Sequence, residues 1–154
     1  MATTISPGTV TVKITETVSL NSTNYDSVNT LAIPNVNEIS QRIVTLPPQV
    51  VVELFKFSGS VGPGEFMNDD VQYVRITNKD DTNPVAINVK YATGNTWTRV
   101  SAGRSFMLSS ALASSESTAT ALVNAPSMSD IRSIYAYGPT AAVTMDLECY
   151  VALT

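Results

Sequence analysis

Alternation constrains this chain more than any other feature. In residues 9–18 the apolar Val10, Val12, Ile14 and Val18 fall on even positions, with Thr and Glu among the residues between them. A strand turns successive side chains to opposite faces, so a period of two predicts a half-buried strand. The β-branched residues that fill the segment suit a pleated surface. Residues 39–46 are a second candidate, stopped by Pro47-Pro48, and residues 50–57 a third, stopped by the glycine-rich stretch 59–64. Residues 71–77 and 84–91 both alternate and are separated by the polar run Asn78-Lys79-Asp80-Asp81-Thr82-Asn83. That arrangement predicts a β-hairpin. Shorter strands are expected at 31–33, 96–100 and 104–108, with turns at Thr93-Gly94-Asn95 and Ser101-Ala102-Gly103. Residues 131–136 and 143–152 close the series, the last with Val143, Met145, Leu147, Cys149 and Val151 on one face.

Residues 109–122 do not alternate. Their alanines favour a helix, while their many Ser and Thr compete for backbone hydrogen bonds, so a short helix and a long surface loop both remain open. The count is nine to eleven short strands with frequent turns. It predicts an all-β fold: a single-domain antiparallel β-sandwich, jelly-roll-like, spanning residues 9–154, with residues 1–8 as an extended N-terminal arm.

Composition narrows the function. The chain has 154 residues with 9 Lys and Arg against 13 Asp and Glu, a net charge of −4. Nucleic-acid binding draws on a basic face that displaces counterions, and anionic membranes attract polybasic segments, so neither partner is expected. There is no histidine, which removes Ser-His-Asp and Cys-His catalysis and His-ligated zinc within one chain. A single cysteine, Cys149, forms no intrachain disulfide and reads as a small buried hydrophobe. No basic and apolar leader segment is visible at the N-terminus, and no run approaches the ~20 apolar residues of a membrane helix.

Several clusters have chemical readings beside structural ones. Asn68-Asp69-Asp70 and the run 78–83 carry oxygen ligands suited to calcium, but Asp and Asn also make turns at strand ends, which is the preferred reading. The loop 59–64 lacks the Gly-Lys-Ser/Thr signature of a phosphate-binding loop. Trp97 is expected to plug the core. Its alternative is an exposed stacking platform for a sugar or a protein, completed by Tyr91, Arg99 and Arg104. The sequon Asn21-Ser22-Thr23 reads as chance. No catalytic, cofactor-binding or metal-ligating residue is assigned, and no enzyme activity is expected.

The stretch Tyr73-Val74-Arg75-Ile76-Thr77-Asn78, then Asp80, then Asn83-Pro84-Val85, then residues 94–108 ending Gly103-Arg104-Ser105-Phe106-Met107-Leu108, together with the segment 130–136 and a final strand over 143–152, resembles small virion structural proteins of tailed bacteriophages. The resemblance covers roughly the C-terminal half. It implies a β-sandwich that acts through its surfaces: a capsid decoration or cement protein, with a neck or tail component as the alternative. A carbohydrate- or receptor-binding module is the other reading. The implied partners are the major capsid protein or other virion proteins and further copies of this chain, with a trimer favoured. The implied location is the virion, assembled in a host cytoplasm. Residues 1–8 and 109–128 are the expected contact arms.

Overall fold

The computed structural model describes residues 6–60, 62–92, 94–109, 112–113 and 129–154. Its strands are β1 (Gly8–Glu16), β2 (Ser19–Leu20), β3 (Thr23–Asn24), β4 (Ser27–Val36), β5 (Glu38–Leu46), β6 (Val51–Ser58), β7 (Phe66–Met67), β8 (Val71–Asn78), β9 (Val85–Tyr91), β10 (Asn95–Val100), β11 (Ser105–Leu108), β12 (Leu112–Ala113), β13 (Ser129–Tyr137) and β14 (Met145–Leu153). Sheet I has the order β10-β9-β13-β6-β7, with β12 beside β13, and sheet II has the order β11-β8-β14-β5. Among the described residues every strand pairing in these sheets is antiparallel except the two-residue β6–β7 contact, and an isolated bridge between Pro48 and Gly138 is parallel. The protein is thus an all-β antiparallel sandwich.

Alternation places the core between the sheets. Ile87, Val89, Ile134 and Phe55 of sheet I face inward, as do Val74, Ile76, Leu147 and Val151 of sheet II, and all are buried. Each such side chain removed from water contributes roughly 1.5–3 kcal/mol, so this face dominates the stability. Phe55, Phe57 and Phe66 extend it at the β6–β7 end, with ring centroids 6.0–6.3 Å apart. On the edge strand β5, Arg42 donates to the Leu54 carbonyl and lies 5.5 Å from the centroid of the Phe55 ring. It ties the edge of sheet II to sheet I. A charged side chain of this kind on an edge strand also discourages uncontrolled pairing.

The expected hairpin between residues 71–77 and 84–91 is not formed. β8 pairs with β11 and β14 in sheet II, whereas β9 pairs with β10 and β13 in sheet I. The polar run between them is a crossover, held by the fully buried amide of Asn78. Its Nδ2 donates to the carbonyls of Asn83 (2.9 Å) and Val100 (3.3 Å), and its Oδ1 accepts from Asp80 N (3.0 Å). Both strands alternate because both have one face on the shared core, and alternation alone does not say which sheet a strand joins. The hairpin the chain does make here is β9–β10, around Gly94.

The N-terminal third also departs from expectation. β1 pairs with β4 and not with either main sheet, and β2 and β3 continue the ribbon to its tip. Residues 8–36 are therefore one long hairpin. β4 runs past Pro34, where the run at residues 31–33 was expected to end. The register shift that admits it lies opposite Gly8 and Val10, and Asn35 takes a left-handed φ of 61°. Of the residues expected to form a half-buried face, Val10 and Val12 are half-buried but Ile14 and Val18 are exposed. The first five residues of the expected arm, and residues 110–111 and 114–128, lie outside the described residues.

Candidate functional site

The hairpin is the molecule's most unusual surface. A two-residue turn closes it: Asn21 and Ser22 have φ of 49° and 64°, and Leu20 pairs with Thr23. Positive φ at both central residues is the turn whose twist matches paired strands, and Asn favours it. At its root the ribbon lies on the outer face of sheet II. Ile33 and Val36, with Val10 and Val12, pack against Tyr73, Tyr150 and Ala152. Tyr73 and Tyr150 meet edge to face at 6.1 Å, and burial pushes the Tyr73 phenol up from its ordinary value.

Among the described residues nothing buries the ribbon beyond that root. A groove of about 310 Å3 opens between it and sheet II, lined by Val12, Ile14, Leu31, Tyr73 and Met107. Tyr25 N donates to Val18 O at 2.8 Å, which places Val18, Leu20 and Tyr25 together at the tip. Among the described residues, half of the exposed large hydrophobic side chains are on this hairpin: Ile14, Val18, Leu20, Tyr25, Val28 and Leu31. By register Ile14, Val18, Leu20, Tyr25 and Leu31 share one face of the ribbon and Val28 lies on the other; isolated exposed apolar residues are ordinary, but five on one face mark an interaction surface.

Beside the hairpin root, the outer face of sheet II is polar and ordered. Glu148 Oε1 accepts from Gln41 Nε2 (2.8 Å) and from an Arg75 guanidinium nitrogen (3.1 Å). The Arg75 hydrogen bond, chiefly, holds the Glu148 carboxyl below its usual range. Arg75 also donates to Thr77 Oγ1, which bonds Ser105 Oγ, each at 2.8 Å. This network is structural: its groups satisfy one another and face no enclosed cleft.

The acidic clusters behave as turns. Asp80 Oδ1 accepts from the backbone N–H groups of Thr82 (2.8 Å) and Asn83 (2.5 Å), and these bonds hold its carboxyl below the usual value. Among the described residues no group of three or more acidic or cysteine side chains converges as a metal site would require. Residues 62–65 lead into β7, and Glu65 pairs with Lys56, while residue 61 of the glycine-rich stretch lies outside the described residues. Cys149 is fully buried on the inner face of β14, where burial pushes its thiol up to about 11.

Trp97 does not plug the core. It is 51% exposed on the outer face of sheet I, opposite Asn88. Of its expected companions only Arg99 shares that face. Tyr91 is buried on the inner side and Arg104 lies in the turn before β11. The signal for an outward Trp97 was in the sequence. Thr96, Thr98 and Val100 are the positions that pair with Val89, Ile87 and Val85, so the odd positions of β10 face out.

No protein-family model matches the chain, and the search of curated proteins found no match. One solved structure, described as a Bacillus endospore appendage from a family of disulfide-linked pili, superposes with a TM-score of 0.41 at 17% identity, over 75% of this chain and 88% of that one. A likeness this loose leaves the function to be argued from the chain's own surfaces.

Proposed function

We propose that this chain is a non-enzymatic structural protein that works through protein–protein contacts, and that its setting is a bacteriophage virion, most simply as a decoration protein on the head. The observation that carries the structural role is the apolar hairpin, residues 8–36. A two-stranded ribbon is marginal in water on its own, and beyond its root this one leaves its apolar side chains exposed. Covering them against a neighbour contributes about 25 cal/mol for each Å2 of apolar surface removed, before the costs of association.

The virion setting is supported by the resemblance carried on residues 73–108 and 130–136, and by topology. Four strands ordered β5-β14-β8-β11 face four ordered β6-β13-β9-β10. We read this order as that of an eight-stranded jelly roll, an architecture common among capsid and lectin domains. That support is an analogy of fold, and a neck or tail position would draw on the same surfaces.

The test is the mass in solution by light scattering, on the full chain and on the double variant Leu20→Asp, Tyr25→Asp. The full chain is expected as a closed oligomer, a trimer of 16.4 kDa chains. The variant, whose substitutions touch no core residue, is expected to keep its Tm and lose that mass. A wild-type monomer at every concentration, or an oligomer indifferent to the two substitutions, overturns the reading.

A further inference from the structure

We propose that the outer face of sheet I binds an acidic polysaccharide, with Trp97 and Tyr135 as stacking platforms and Lys90 and Arg99 as the carboxylate partners. The inference does not rest on the virion reading, since this face lies on the side of the sandwich away from the hairpin. Register assembles it from three strands. Trp97 of β10 lies opposite Asn88 of β9, which lies opposite Tyr135 of β13. Adjacent strands are about 4.8 Å apart, so the two aromatic side chains stand roughly 10 Å apart in one row. The next row along the strands holds Arg99, Ala86 and Tyr137. Trp97 is exposed and both tyrosines are half-buried, so their rings are braced without being covered.

Between the platforms sits a polar group set in place. Asn88 is only 6% exposed, and its Nδ2 donates to Asn95 Oδ1 at 3.0 Å, which fixes the amide in the row. Flat rings that stack on the C–H faces of sugars, beside the exposed Asn95 amide that Asn88 orients, form the chemistry of a saccharide surface. Charge selects the acidic class. The molecule carries −4, yet the charged residues flanking the Trp97–Asn88 pair are Lys90 and Arg99, both exposed. Glu53, the acidic residue in the row, lies beyond Tyr135 on β6. Carboxylates carried on the stacked sugar rings would meet these two cations, and the oligothymidylate in the test separates that arrangement from a phosphate backbone.

Trp97 is the only tryptophan, so its emission reports this face alone. The full chain is titrated with polygalacturonate, alginate, hyaluronate and polysialic acid, and with neutral dextran and a single-stranded oligothymidylate as controls. The expected result is a saturable change in emission with at least one acidic polysaccharide, weakened by salt, and none with dextran. Arg99→Gln keeps the reporter and is expected to weaken binding roughly tenfold or more. Trp97→Ala, followed by calorimetry, is expected to do the same while leaving the mass by light scattering unchanged. Silence with all four acidic polymers, an equal response to dextran, preference for the oligothymidylate, or an indifferent Arg99→Gln overturns the proposal. So does a Trp97→Ala variant that changes oligomeric mass, because the face would then be a contact between copies.

Discussion

At the scale of the residue, the buried amide of Asn78 carries more than its share. Asn78 holds three backbone groups at the crossover from sheet II to sheet I. Asn78→Ala leaves them without those partners in a buried site and is expected to cost about 1–3 kcal/mol, read as a lower midpoint in urea. The titratable groups set a characteristic pH profile. Glu148 and Asp80 have folded values below their unfolded ones, so their contribution is present above about pH 4 and is lost as pH falls through the folded values. The Cys149 thiol is raised to about 11. Its contribution is present below its unfolded value of about 8.5 and is lost as pH rises towards 11. With no histidine, no side chain has an ordinary pKa between about 5 and 8. Tm is therefore expected to hold a plateau across that interval and to fall on both sides. A step near pH 6.5 in a thermal melt series would contradict this assignment.

At the scale of the element, the hairpin is where the sequence was hardest to read. Val10, Val12 and Ile14 alternate as a core strand does, and their alternation is real. Their partner is another strand of the same ribbon, and the ribbon reaches the body only at its root. The turn that makes it is Asn21-Ser22, which lacks the Asn-Gly pairing that announces such turns most clearly. Ser22→Gly places the permissive residue at φ 64° and is expected to stabilise the hairpin by about 0.5–1 kcal/mol, seen as slower amide exchange in β1 and β4. By contrast the face of the final strand was legible. Of Val143, Met145, Leu147, Cys149 and Val151, the last four are buried on it, while Val143 precedes the strand and is half-buried. Period reports that a strand has two unlike faces. It does not report which sheet the strand joins, as β8 and β9 demonstrate, nor whether its apolar face meets the core or a neighbour. Trp97 was misplaced for a related reason: size and hydrophobicity suggested burial, while the parity of its strand pointed outward.

At the scale of the whole molecule, the sandwich presents two unlike outer faces. Sheet II bears the hairpin and its apolar tip, and sheet I bears the row from Trp97 to Tyr135. Between them lies a core that tolerates little. Ile134→Ala, at a position fully removed from solvent, is expected to cost about 2–5 kcal/mol in denaturant melts. The two faces divide the account as well, because hairpin variants and Trp97 variants should affect separate observables. The central claim is that the hairpin is the surface through which copies of this chain, or its neighbours, meet. Hydrogen–deuterium exchange on the purified chain, compared between dilute and concentrated solution, tests it most directly. The account predicts that backbone amides in residues 8–36 become protected on concentration while those of β9, β13 and β14 stay as they were. Unchanged exchange in the hairpin, with oligomers formed through any other segment, would contradict it.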